Sequence, residues 1–342
     1  MRVFYYSVTK NFGDHMNSWL WRRVFPDLIE EQSGDVLVGI GSLIKSDLSK
    51  VPGKKIIFGT GSGYGPMPVP EEIDDWNIYF VRGPLTARLL KLPPSKALVD
   101  GAWLVDQLED LRYRPQQRRG VVFVPHWTTD LYANWRQPCE QAGVEYVSPF
   151  LEGSQVFKSI ATAEVAVVES LHGAIMADYY RVPWIPVVTR GRVLSFKWLD
   201  FCQSLGLAYR PIELPLTDGV ERLLGGTGDS GSALQYLPEQ GVPDLDRIPY
   251  APRQRATWSY RAAVKAKALA RPLRASAMRM INGARRSAPI KALNRGRSEE
   301  LASLLHLISQ TEPYLSSDRT REEKLNQLKE MVHRLERDYG RS

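Results

Sequence analysis

Two series of short apolar runs, rich in Val and Ile, alternate with amphipathic stretches over about the first 215 residues. A polar break at Tyr113–Gly120 (YRPQQRRG) divides them. Strands buried on both faces and alternating with helices predict the α/β class, as two Rossmann-like domains facing each other across a cleft. A later shift to Ala, Leu and basic residues predicts a helical basic C-terminal extension. The expected units are 1–115, 116–224, a linker at 225–250 and the extension at 251–342.

In the first half VFYY, VLVGIGSLI, KKIIFGTGS, NIYFVRG and KALVDGAWLV read as strands, most of them closed by glycine. Between them Asp14–Phe25 and Pro84–Leu92 have helical spacing, and Pro84 suits a first turn. In the second half the strands are GVVFVPHW, EYVSPF, VAVVES and PWIPVV. Helices are expected near Leu131–Ala142, Gln155–Ala163, Leu171–Arg181 and Phe196–Leu205. GGTGDSGS then marks the linker. The stretch from Arg255 to Asn294 is interrupted at Pro272 and Pro289. Last, Leu325, Leu328, Val332 and Leu335 repeat at 3-4-3 spacing. That is a short coiled-coil-like seam, too brief to be stable alone and expected to support a homo-oligomer.

The net charge of +7 is unevenly placed. Thirteen of the 45 Lys and Arg, and none of the 38 Asp and Glu, lie between Arg253 and Arg297, so the remainder carries −6. This is an acidic-leaning body with a basic attachment, and nucleic acid is not an expected partner. No recognition fold is visible, and aromatic interleaving is limited to Trp258 and Tyr260. An anionic membrane surface, bound through 253–297 at about 1 kcal/mol per basic residue, is the favoured partner of that segment. Cys139 and Cys202 form neither a disulfide framework nor a metal-type spacing, which fits a reducing compartment. With no signal peptide and no spanning run expected, the expected location is cytoplasmic, with peripheral attachment to the inner face of the cytoplasmic membrane as the extension of that expectation. No metal-ligand cluster is visible.

The most informative stretch is Val165–Val188, VAVVESLHGAIMADYYRVPWIPVV. A strand stops at Glu169-Ser170 and a helix opens at Leu171-His172-Gly173, the place where open α/β sheets bind ligands. Ser170 is a natural cap, but a cationic imidazole at a positive helix end is unfavourable unless an anion sits opposite. Lys197, opening a later helix, adds a second cation. The pattern asks for an anionic ligand. His126 ends the first strand of the second half, a place equivalent to that of His172. Arg82, in Val-Arg-Gly-Pro, is either a surface residue or a charge reaching toward a carboxylate or phosphate. Asn11-Phe12-Gly13-Asp14, with Asn17 a turn on, reads equally as a helix cap or as a cleft-facing polar turn. Gly39-Ile40-Gly41-Ser42 and Gly59-Thr60-Gly61-Ser62-Gly63 fit neither a P-loop nor a dinucleotide fingerprint. They read as tight turns.

Asn-Phe-Gly-Asp, Gly-Ser after the second strand, Gly-Thr-Gly, Val-Arg-Gly-Pro-Leu-Thr, Ser-Leu-His-Gly and Val-Pro-Trp-Ile-Pro occur here in one order. This ordered set, over about residues 1 to 215, resembles the polysaccharide pyruvyl transferase family. The resemblance implies a GT-B-like arrangement, phosphoenolpyruvate as co-substrate rather than a bound cofactor, and a bacterial surface or capsular sugar, free or lipid-linked, as acceptor. Under it His172 is the expected acid, with His126 or Asp14 assisting deprotonation of sugar hydroxyls. Ser170, Gly173, Arg82, Lys197 and Arg190 are expected at the donor, and Asn11, Asn17, Ser42 and Thr60 at the acceptor. The family often carries an arginine where this chain has Ser170, so Arg82, Arg190, Arg192 or Lys197 would have to supply that charge. Two other functions fit the same architecture: a glycosyltransferase using a sugar nucleotide, and a non-catalytic scaffold of a polysaccharide-assembly complex.

Overall fold

The computed structural model describes residues 1–6, 10–31, 34–63, 67–68, 70–189, 193–224, 276–278, 280–285, 287, 289 and 294–340. It is α/β, built on two parallel sheets. The first holds β1 (Arg2–Phe4), β2 (Val36–Val38), β3 (Lys55–Phe58) and β4 (Asn77–Phe80), in that order. The second holds β5 (Val121–Val124), β6 (Glu145–Tyr146), β7 (Val165–Val168), β8 (Trp184–Val188) and β9 (Ile212–Glu213), ordered β6-β5-β7-β8-β9. All-parallel pairing needs crossovers, and helices supply most of them. They are α1 (Phe12–His15), α2 (Leu20–Val24), α3 (Pro70–Ile73) and α4 (Pro84–Leu89) in the first half. In the second they are α5 (Trp127–Tyr132), α6 (Arg136–Ala142), α7 (Gly153–Thr162), α8 (Leu171–Tyr179), α9 (Ser195–Ser204) and α10 (Gly219–Leu224).

Three local expectations are corrected. The run KALVDGAWLV is not a strand. Ala97 makes only an isolated bridge to Val81, and Asp100 then accepts the Ala102 N–H at 2.9 Å to start a 3₁₀ helix over Gly101–Gln107. A capping carboxylate overrides the apolar pattern there. The helix expected over Asp14–Phe25 is broken by a 3₁₀ turn at Met16–Ser18. Inside that turn Asn17 Oδ1 accepts from Ile40 N–H at 3.0 Å and Trp21 Nε1–H at 2.9 Å, and Nδ2 donates to the carbonyls of Asp14 and Ile40. An Asn so engaged competes with regular helix. The third break divides Leu131–Ala142 into α5 and α6.

One apolar cluster runs through both halves, joining Phe12, Trp21, Phe58 and Trp103 to Phe157, Leu171, Ile175 and Trp184. The halves are therefore packed on each other. Trp103 Nε1–H donates to the Ile175 carbonyl at 3.1 Å, and Phe12 N–H to that of Pro149 at 2.8 Å.

The basic extension is not a detached attachment where it is described; most of its basic stretch, and the linker, lie outside the described residues. α11 (Arg295–Ser309) buries Leu301, Leu305 and Ile308 against Trp135, Cys139 and Val167. Tyr314 then pairs its backbone with Trp184, at 2.7 and 2.9 Å. α12 (Asp318–Tyr339) lays Leu325, Leu328, Val332 and Leu335 into the shared cluster. It touches both halves: Tyr79 Oη–H donates to Asp338 at 2.5 Å, and Arg321 to the Tyr179 carbonyl at 3.3 Å. The leucine seam expected to pair with another copy is buried in its own chain, because a 3-4-3 stripe fits any apolar surface. Leu335→Ala should therefore cost about 2–5 kcal/mol in urea unfolding. Light scattering should show no change in oligomeric state.

Candidate functional site

The turns after β2, β3, β4 and β7 leave the carboxyl ends of their strands, and with Asn11–Asp14 they lie where the halves meet. Gly41 and Gly59 turn with φ of +111° and +99°. A Cβ at Gly59 would stand 2.6 Å from the Gly101 Cα, so only glycine fits. Thr60 is buried, its hydroxyl donating to the Gly41 carbonyl at 2.9 Å and accepting from Leu43 N–H at 3.2 Å. With Asn17 it builds the turns and offers little to an acceptor.

Arg82 reaches a carboxylate, as its residue type suggested, but the carboxylate belongs to the protein. Its Nε meets Asp200 Oδ2 at 3.2 Å, and both side chains are fully buried. Nη1 donates to the Gly41 carbonyl and to Ser42 Oγ at 3.1 Å, and Nη2 to the Ser62 carbonyl at 2.9 Å. Asp200 belongs to α9 in the second half. It accepts the N–H groups of Leu85 and Thr86 at 2.9 and 3.0 Å and the Thr86 hydroxyl at 2.6 Å, capping α4 from outside. Arg82, expected to hold a ligand, thus ties the halves through Asp200, and Ser42, also expected at a ligand, braces that arginine within the first half. Arg82 can act on a ligand through its field.

His172 stands in the first turn of α8, where Ser170 caps by accepting Gly173 N–H at 3.4 Å. Gly173 is a packing residue; a Cβ there would press on Val124 and Val168. The imidazole lies against the first half. A Cβ on Gly13 would fall 2.1 Å from His172 Nδ1, and Phe12 makes an edge contact with the ring at 6.3 Å. His172 Nε2 is out of reach of solvent and has no hydrogen-bond partner. Loss of hydration pushes its pKa down to about 3, and the positive charges of Lys197 and Arg82 push the same way. Lys197 is buried on α9, one turn before Asp200.

Asp14 is half-buried beside Gly13. It accepts from Asn11 Nδ2 at 2.6 Å while Asn11 Oδ1 caps its N–H at 3.1 Å, so the cap reading of Asn11 holds together with a carboxylate near His172. His126 pairs its ring Nδ1 with Thr128 Oγ1 at 2.7 Å, and its N–H donates to Glu169 Oε2 at 3.0 Å. Arg190 and Arg192 lie outside the described residues. His172 thus faces the turn that carries Asp14, and the charges of Lys197 and Arg82 reach it.

Three buried carboxylates were missed. Glu169 binds the N–H groups of His126 and Thr189, stapling the ends of β5, β7 and β8. Asp200 is one acid in an amphipathic helix, without a local signal. Asp100 was read as part of a strand; burial raises its pKa to about 6, against the opposing pull of Arg82. Two open cavities, of about 980 and 520 Å³, lie elsewhere, lined by Lys54, Lys55, Trp76 and Asn77 and by Ile78, Leu89 and Lys96. They sit by the amino ends of β3 and β4. Among the described residues no group of three His, Cys, Asp or Glu could hold a metal, and no helix is long and apolar enough to cross a membrane.

No family model matches the chain, and no solved structure matches it. It is similar to the succinoglycan biosynthesis protein ExoV of Rhizobium meliloti (strain 1021), at 36% identity over 279 residues. The match covers 80% of this chain and 87% of that protein.

Two measurements test this geometry. Asp200→Ala leaves Arg82 buried without its partner and should cost about 3–5 kcal/mol, read by urea unfolding. His172, with a folded pKa below its ordinary 6.5, contributes stability that is present above that pH and lost as pH falls toward 3. Between pH 7 and pH 5 the urea midpoint should fall more steeply for the wild type than for His172→Gln.

Proposed function

Because this chain belongs to the polysaccharide pyruvyl transferase family, we propose that it moves a pyruvyl group from phosphoenolpyruvate to hydroxyls of a sugar. The process served is exopolysaccharide biosynthesis; the relative is named for the biosynthesis of succinoglycan. The observation that carries the chemistry is the enclosed, unpartnered Nε2 of His172 beside two cations. Such a place favours a small, multiply charged anion.

In the proposed reaction the donor's carboxylate and phosphate lie toward Lys197, the first turn of α8 and the field of Arg82. Protonated His172 gives its proton to the methylene carbon, leaving the central carbon electron-poor. A sugar hydroxyl oxygen bonds to that carbon and loses its proton to Asp14, or to His126 through the second-half side of the site. The bond from the central carbon to the phosphate oxygen breaks, and phosphate leaves with the bonding pair. Addition of a second hydroxyl, with loss of its proton, closes a ketal. The first half would hold the acceptor and the second the donor, in a GT-B-like arrangement. The basic stretch 253–297 would bring the enzyme to anionic lipid, where a lipid-linked acceptor resides.

Thermal unfolding with phosphoenolpyruvate and with a panel of sugar nucleotides tests the reading. Phosphoenolpyruvate alone should raise Tm, by the equivalent of about 2.7 kcal/mol at a hundredfold excess over Kd, and His172→Ala should weaken the rise. Stabilisation by a sugar nucleotide instead would replace pyruvyl transfer with glycosyl transfer. Near-normal turnover in His172→Ala would remove that residue as the acid.

A further inference from the structure

An imidazole that is to act as an acid must first carry a proton, and His172 is built not to carry one at rest. Its Nε2 is enclosed and unpartnered. Among the described residues the charges acting on it are those of Lys197, from α9, and Arg82, from beyond β4, both positive. The carboxylates around the site are engaged elsewhere. Asp14, beside Gly13 on α1, is bonded to Asn11. Asp200 on α9 holds Arg82 and the start of α4. Asp100 caps its own helix on the Arg82 side. Glu169, at the end of β7, holds two backbone amides. None of these bonds goes to His172 Nε2.

A buried polar atom is normally satisfied, and an orphan among cations is a place for an acceptor with negative charge. Such an anion would change both sides of the balance at once. It would offset Lys197 and Arg82, and it would accept from an Nε2–H. We propose that His172 is uncharged until an anion enters, and that the anion and one proton then bind together. Only the identity of the physiological anion rests on the pyruvyl-transfer reading. The site is loaded by its own substrate: donor binding creates the acid that attacks the donor, and an empty site holds no acid.

Sulfate is the clean probe, because it stays doubly charged between pH 5 and 8, whereas phosphate groups titrate near pH 6. Calorimetric titration of the full chain with sulfate, in buffers of different ionisation enthalpy, counts the protons taken up. The expected result at pH 7 is an uptake close to one proton, and a Kd that weakens about tenfold per pH unit. His172→Gln, checked for folding by urea, should bind sulfate without that uptake. Lys197→Met, which removes one of the positive charges facing the anion, should bind sulfate more weakly than the wild type. Equal apparent enthalpies in all buffers, uptake that persists in His172→Gln, or no sulfate binding at millimolar concentration would each overturn the proposal. Proton-linked sulfate binding without turnover of phosphoenolpyruvate would instead sink the pyruvyl-transfer reading and leave this coupling standing.

Discussion

The contact on which the arrangement depends is the buried pair of Arg82 and Asp200. Placing a guanidinium and a carboxylate out of water costs several kcal/mol, and attraction between them offsets that only if their remaining hydrogen-bonding groups are satisfied. Here they are. Asp200 accepts from two amides and a hydroxyl besides Arg82, and Arg82 donates to two carbonyls and a serine. The acid comes from one half and its partners from the other, so the bond network fixes their relative placement. Lys197 precedes Asp200 by one turn on the same helix. Seating the acid therefore also sets the lysine and brings Gly13 against His172.

From that placement follows the charge pattern of the site. Asp14, Asp100 and Asp200 lie within electrostatic reach of one another on the Arg82 side, and among the described residues the charges felt by the imidazole are those of Lys197 and Arg82. Asp100 and His172 show the two directions that burial can take: the carboxyl is pushed up to about 6 and the imidazole down to about 3. Each drifts toward its neutral form, as loss of hydration demands. Gly13 is the geometric condition for the pattern, since any side chain there would displace the ring.

Much of the frame was legible because it is written locally. Apolar β-branched runs gave most of the strands, and Ser170 before Leu171-His172 gave the start of α8. Asn11 was readable as a cap for the same reason. What escaped depends on distant partners. Asp200 lies 118 positions from Arg82, and nothing in its own helix announces the pairing. Asp100 sits in a run that looks extended until its carboxylate caps the following turn. The leucines of α12 reveal a helical stripe, but a stripe does not state whether its own core or another chain will cover it. Arg82 shows the same limit: its reach toward a carboxylate was foreseeable, the owner of that carboxylate was not.

The bond from Tyr79 to Asp338 spans 259 positions. During synthesis, β4 leaves the ribosome long before the helix that covers it exists. At about 5–20 residues per second the wait is roughly 13–50 s. Through that interval the apolar surface later sealed by Leu325, Leu328, Val332 and Leu335 stays open. The core of the first half is thus completed only when α12 has been made, so that helix closes a surface laid down some 259 positions earlier.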